Sequence, residues 1–248
     1  MTAPAWLTAR PIAHRGLHDR PAGVPENTLA AADAAIAGNF AIECDVQLSA
    51  DGEPMVFHDF ALGRLTEAEE PVRARDRADL EGLAVAGSAE RIPTLRALLA
   101  RVAGRVPLIV EIKSRFDGDL APAERTAEAV AGYAGPLALK SFDPDVVAAL
   151  DRLAPDRPRG IIAERDTDGP AYAALSPERR RALANLLHLD ESRPDFLSWR
   201  VGDLPCAAPF LCRRFGMPVM AWTLRTPEDR ERAAAHADQI VFEGFRPE

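Results

Sequence analysis

Cysteine is scarce in this chain, with Cys44, Cys206 and Cys212 the only three among 248 residues. Three cysteines are too few, and odd in number, to build a disulfide framework, so the sequence reads as a protein of a reducing compartment. Long apolar runs are missing too: none approaches the roughly 20 residues that cross a bilayer. Residues 1–10 lack both the basic patch and the apolar core of a secretion signal, which makes a cytoplasmic location the expectation. Positive charge is in deficit, with Lys and Arg numbering 30 against 38 Asp and Glu, a formal net of −8. That balance argues against a general nucleic-acid or anionic-membrane binder, since those need a basic face, and the lack of a long apolar segment argues against stable membrane insertion. It leaves room for a small anionic substrate, because a site can be locally positive inside an acidic protein. Assembly as a homo-oligomer is left open.

The apolar content is ample, at 47%, and it is arranged with regularity. Short apolar runs at 11–14, 40–48, 108–113, 137–142, 160–163, 196–199, 218–223 and 239–243 read as strands. Amphipathic stretches at 28–38, 94–102, 123–133, 144–153, 177–187, 207–215 and 227–236 read as helices between them. Asp143-Pro144, Ser176-Pro177 and Thr226-Pro227 each set a capping side chain before a proline suited to the first helical turn. Eight strands, each but the last followed by a helix, predict an α/β fold of the (β/α)8 TIM-barrel type, and residues 1–248 are expected to form one domain. Residues 55–58 are left over and fit a hairpin partner for the second strand, joined through Asp51-Gly52. The charged, irregular stretch 60–91 then reads as a short insertion after that hairpin.

Five polar clusters lie where strands would hand over to loops: His14-Arg15-Gly16, Pro25-Glu26-Asn27-Thr28, Glu43-Cys44-Asp45, Asp51-Gly52 and His58-Asp59. Strand alternation puts Glu43, Asp45 and Gln47 on one face and Ile42, Cys44, Val46 and Leu48 on the other. A two-residue turn at Asp51-Gly52 would set Asp45 opposite His58. Glu111 and Lys113 form a second charged pair, two apart on the next strand. Carboxylates from successive strands, near the strands' C-terminal ends, suit an oxygen-ligated metal. Three carboxylates, a divalent cation, Arg15 and Lys113 sum to about +1, which matches a singly charged phosphodiester.

The ordered set adds Leu62 and Thr66, Ile92-Pro93-Thr94-Leu95 and Glu111-Ile112-Lys113 to these clusters, and it resembles the glycerophosphodiester phosphodiesterases. Each motif is weak alone; the ordered set is specific. The resemblance implies a barrel enzyme that hydrolyses a small-molecule glycerophosphodiester to glycerol 3-phosphate and an alcohol. It further implies that Glu43, Asp45 and Glu111 hold Ca²⁺ or Mg²⁺, that His14 and His58 are the general acid and base, and that Arg15 and Lys113 bind phosphate. Imidazoles titrate near neutral pH, so they suit that task physically. The attacking oxygen can be the glycerol 2-hydroxyl, giving a cyclic phosphate that water then opens, or water itself. Trp222 matches the start of a family Trp-Thr-Val-Asn run, with Leu224-Arg225 in the last two positions, and is assigned to the substrate's glycerol moiety. Phe242 stands where the family usually has threonine.

Other polar residues read as structure. Asn27 is expected to cap a helix, Asp59 to orient His58 or cap its loop, Cys44 to be a core thiol, and His18, His188 and His236 to be surface or packing residues. Arg179-Arg180-Arg181 reads as a solvated helix face. Two other functions remain in view: a phospholipase of the sphingomyelinase D or phosphoinositide type on the same barrel, and a barrel that binds a phosphodiester without cleaving it. A binding module has no need of two histidines beside three carboxylates.

Overall fold

A computed structural model describes residues 3–247; the two residues before them and the one after, which complete the expected 1–248 domain, lie outside the described residues. Nine strands are described: β1 Ile12–Ala13, β2 Ala41–Leu48, β3 Pro54–Val56, β4 Leu108–Ile112, β5 Leu137–Ser141, β6 Arg159–Ala163, β7 Phe196–Arg200, β8 Val219–Leu224 and β9 Gln239–Phe242. The helices are α1 Leu29–Ala37, α2 Arg77–Gly82, α3 Leu95–Val102, α4 Ala121–Val130, α5 Pro144–Leu153, α6 Pro177–Ala184, α7 Leu189–Ser192, α8 Ala207–Arg214 and α9 Pro227–His236. The strands follow the order β1-β9-β8-β7-β6-β5-β4-β2-β3, with β1 also paired to β2, and the fold is a (β/α)8 TIM barrel. Strand β3 is the ninth, an antiparallel appendage to β2.

The chain comprises two compact units. In the first, Ala13–Lys113 with Ala121–Leu137, the central strand β2 is buried along almost its whole length. Parallel pairing sets Glu43 beside Ile109 and Asp45 beside Glu111. The insertion between β3 and α3 has its own small core, in which Leu62, Leu65, Val72, Leu80, Val85 and Ile92 pack on Met55 and Phe57. Thr28 and Thr94 cap α1 and α3, accepting bonds from the Ala31 and Ala97 amides.

The second unit comprises Met1–Ile12, Ser114–Leu120 and Ala138–Glu248. Strands β6, β7, β8 and β9 follow one another in parallel register, with Ala163 beside Trp199 and Arg200 beside Trp222. The three proline-led caps operate here: Asp143, Ser176 and Thr226 accept from the amides of Asp145, Arg179 and Asp229, the last in a reciprocal capping box.

Two local expectations need correction. The β2–β3 register pairs Val46 with Val56 and Gln47 with Met55, so Asp45 stands opposite Phe57 and not His58. The reason is a three-residue loop. Gly52, at φ 79°, donates to the Ser49 carbonyl and Ser49 pairs with Glu53, an arrangement in which a type I turn is completed by one left-handed glycine. The Ser49 hydroxyl fixes it, bonding Asp51 Oδ1 at 2.5 Å and accepting from the Glu53 amide at 2.9 Å. Asn27, in turn, is not the cap of α1. It sits at φ 57°, one residue before the true cap Thr28, and its side chain has another task.

Candidate active site

The inward face of β2 carries Glu43 and Asp45, and β4 adds Glu111 at the level of Asp45. One carboxylate oxygen from each lies within 4.8 Å of the other two, and all three residues are buried. Buried carboxylates at such separations repel strongly unless cations compensate them. Lys113, one residue past β4, supplies one: its Nζ donates to Glu111 Oε1 at 2.5 Å and lies 2.8 Å from Asp45 Oδ1. Arg15 supplies a second, with Nε 3.3 Å from Asp45 Oδ2. The donor set is hard oxygen, three carboxylates converging from two strands, and its chemistry fits a divalent cation.

The loop after β1 is bent to serve this cluster. Arg15, at φ 57°, turns its backbone amide onto Glu43 Oε2 at 3.0 Å. Gly16 follows at φ 80°, where a Cβ would lie 2.8 Å from the Ala31 Cβ on α1, so only glycine fits that approach. Asn27 N–H donates to the Arg15 carbonyl at 2.9 Å, which ties the two loops together. The Asn27 amide then clamps Asp45, donating through Nδ2 to Oδ2 at 2.9 Å and accepting from the Asp45 amide at 3.3 Å.

These contacts decide the charge states. Burial pushes the Asp45 carboxyl up, but Lys113, His58, Arg15 and His14 together outweigh it and hold it well below the usual carboxylate range. Burial works against the ammonium of Lys113, yet Asp45 and Glu111 raise it above its ordinary value. Arg15 is likewise raised, against its own burial, by Asp45, Glu26 and Glu43.

His58 reaches the cluster by leaving β3. Gln47 on the inward face of β2 donates from Nε2 to the carbonyls of Phe57 at 2.9 Å and Asp59 at 2.6 Å, pinning the backbone on either side of His58. Asp59 Oδ1 lies 2.5 Å from His58 Nδ1. His14, just past β1, is almost fully buried and acts electrostatically on the same Asp45. Seven of the eight residues assigned from sequence, His14, Arg15, Glu43, Asp45, His58, Glu111 and Lys113, thus belong to the one compact unit. Trp222 belongs to the other. It is partly buried on β8, donates from Nε1 to the Ser198 carbonyl at 3.0 Å, and meets the Phe142 ring edge-on at a centroid distance of 5.5 Å.

The model of the glycerophosphoryl diester phosphodiesterase family matches residues 14–242. The chain belongs to this family. As a glycerophosphoryl diester phosphodiesterase family member it is an enzyme of the phosphoric diester hydrolase class. A glycerophosphodiester phosphodiesterase of Caldanaerobacter subterraneus subsp. tengcongensis is 30% identical over 243 residues, which cover 93% of this chain and 92% of that protein. The crystal structure of a glycerophosphodiester phosphodiesterase from Thermotoga maritima superposes with a TM-score of 0.71 at 25% identity, covering 93% of this chain and 92% of that one. A phosphodiesterase of Oleispira antarctica, solved with its product sn-glycerol-3-phosphate, gives a TM-score of 0.76 at 24% identity over 94% and 92% of the two chains; this last likeness is one of fold.

Within the family frame, four residues that the sequence does not assign to the site hold its members in place. Asn27 and Gln47 hold Asp45 and the His58 loop, and Glu26 accepts from Arg15 Nη1 at 2.7 Å. Gln47 carried a usable signal, being next in alternation after Glu43 and Asp45. Asn27 carried another, since asparagine is among the few residues that tolerate a left-handed backbone. The fourth, Arg64, comes from the insertion and bonds both Glu26 and Asp59. No local pattern announced it.

Proposed function

We propose that the chain hydrolyses glycerophosphodiesters to glycerol 3-phosphate and an alcohol, with His14 and His58 as the acid and base. The observation that carries this reading is the geometry around Asp45: Lys113 Nζ and Arg15 Nε lie 2.8 and 3.3 Å from its oxygens, His14 follows β1, and Gln47 and Asp59 hold the His58 loop. A phosphodiester needs that combination, cations for its non-bridging oxygens and a proton acceptor and donor on either side of phosphorus. Arg15 and Lys113 would bind the phosphate. One histidine would take the proton of the attacking oxygen as its bond to phosphorus forms. The other would give a proton to the alcohol oxygen as its bond to phosphorus breaks, so charge does not accumulate on the leaving group. Asp59, against His58 Nδ1, favours the tautomer that carries its proton on that nitrogen and leaves Nε2 for proton transfer.

Glu43, Asp45 and Glu111 would hold Ca²⁺ or Mg²⁺, since their oxygens already cluster within one ion's reach. Such a cation supplies charge stabilisation to the phosphoryl oxygens. Trp222 is assigned to the glycerol moiety. A single barrel domain is supported by the extent of the family match, from residue 14 to residue 242. No helix among the described residues is long and apolar enough to cross a membrane, and all three cysteines are free, which supports the cytoplasmic assignment.

The histidines give the direct test. His14→Ala and His58→Ala should each lower kcat on glycerophosphocholine by roughly 10²- to 10⁴-fold, with circular dichroism and melting temperature close to wild type. A variant that turns over at the wild-type rate would remove that histidine from the chemistry.

A further inference from the structure

From the insertion 60–91 the Arg64 side chain reaches the neighbourhood of the site, where it makes three bonds. Arg64 donates from Nη1 and Nη2 to the two oxygens of Glu26, at 2.9 and 2.8 Å, and from Nε to Asp59 Oδ2. Each acceptor already holds a residue of the proposed machinery. Glu26 Oε1 receives Arg15 Nη1 at 2.7 Å, and Asp59 Oδ1 faces His58 Nδ1 at 2.5 Å. One rigid guanidinium therefore fixes both carboxylates, and each carboxylate fixes one functional group. The fork is partly exposed, where an isolated ion pair would contribute little, but a bidentate contact inside a five-membered network is the geometry that does count.

The base under Arg64 is firm. Its neighbours Leu62 and Leu65 are buried in the insertion's own core, and the Leu62 carbonyl accepts from the amides of Leu65 and Thr66 and from the Thr66 hydroxyl. A guanidinium presented from such a base can impose a position on the carboxylates it meets.

We propose that Arg64 is a positioning residue for the reaction, aligning His58 through Asp59 and Arg15 through Glu26, and that the insertion presents it. Lysine would not replace it, since one ammonium cannot span two carboxylates in that fork geometry. The inference rests on the hydrolytic reading for its kinetic consequence but not for its structural one, so both are measured.

Steady-state kinetics on glycerophosphocholine would compare wild type, Arg64→Ala, Asp59→Asn and the double variant, each with its melting temperature. Arg64→Ala should lower kcat/KM about 10- to 100-fold, as loss of an outer orienting partner typically does. In the Asp59→Asn background the same change should cost less, because the His58 arm is already released and only the Arg15 arm through Glu26 remains. Long-range proton–nitrogen spectra of the His58 ring supply the second readout: one tautomer, protonated at Nδ1, in wild type and a mixture in Arg64→Ala. Arg64→Ala with kcat/KM within twofold of wild type would overturn the proposal, as would an equal loss in both backgrounds or an unchanged His58 tautomer. Should wild type release no glycerol 3-phosphate at all, the hydrolytic reading falls and the ring spectra alone decide the role of Arg64.

Discussion

Asp45 is the residue on which the site turns, and its environment explains which neighbours matter. It is 1% exposed, and its oxygens face Lys113, Arg15 and the Asn27 amide. A carboxylate so deep in the protein stays charged only because those groups compensate it. Lys113 and Arg15 do so by charge, whereas Asn27 does so by direction, holding one oxygen and the backbone amide together. Asn27→Ala should therefore lower stability by about 1–3 kcal/mol, the cost of a buried acceptor stripped of its donor. It should also reduce kcat/KM by roughly 10- to 100-fold, because the carboxylate loses its orientation. Thermal melts and kinetics on the purified variant check both; a stable, fully active Asn27→Ala would make the clamp incidental. Asparagine at this point reads as a helix cap in the sequence, and the positive φ that turns it away from that role depends on the Arg15 carbonyl, 12 residues earlier. Such a contact is invisible to any reading of local pattern.

Among the elements, α7 shows how a histidine outside the site can still govern behaviour. His188 precedes this short helix and is 3% exposed, its Nδ1 3.0 Å from Ser192 Oγ. Burial first, and then the nearby Arg179, depress its imidazole to about 4 from an ordinary 6.5. A base with its folded value below its unfolded value stays neutral in the folded chain while the unfolded chain takes up a proton. Its contribution is complete above pH 6.5 and is lost as pH falls from there toward 4, at up to about 1.4 kcal/mol per pH unit. Melting temperatures followed from pH 7.5 to pH 4.5 should fall less steeply in His188→Gln than in wild type, and parallel curves would contradict the assignment.

Strand and helix positions were readable from sequence because periodicity and proline-led caps are local, and the three capped helices α5, α6 and α9 begin where Asp143, Ser176 and Thr226 indicate. The β2–β3 register was not, because Asp-Gly serves a two-residue turn and a three-residue loop with a left-handed glycine equally well. Only the Ser49 hydroxyl bonds choose between them. The insertion lies where the sequence places it, but its core is not legible there, for a related reason. Its buried leucines and valines follow neither a period of two nor one of 3.6, so they look like an irregular charged stretch until they are seen packed on Met55 and Phe57.

At the scale of the whole molecule, a formal charge of −8 coexists with a cluster in which two cations, Arg15 and Lys113, stand against three buried carboxylates. The acidic surplus is spread over the chain, while Arg15 and Lys113 are mostly enclosed beside the carboxylates that keep them charged. The family match over residues 14–242 states the class of reaction, and the proposed reading adds a cation among Glu43, Asp45 and Glu111 with a phosphodiester in front of it. The most direct test is to incubate the purified protein with glycerophosphocholine, glycerophosphoethanolamine or glycerophosphoglycerol, in Ca²⁺, in Mg²⁺ and in excess chelator, and to measure glycerol 3-phosphate. Release of glycerol 3-phosphate from at least one diester, dependent on the metal and abolished by chelator, is the predicted result. No release with either metal, release undiminished by chelator, or a phosphorylated head group appearing with free glycerol would contradict it.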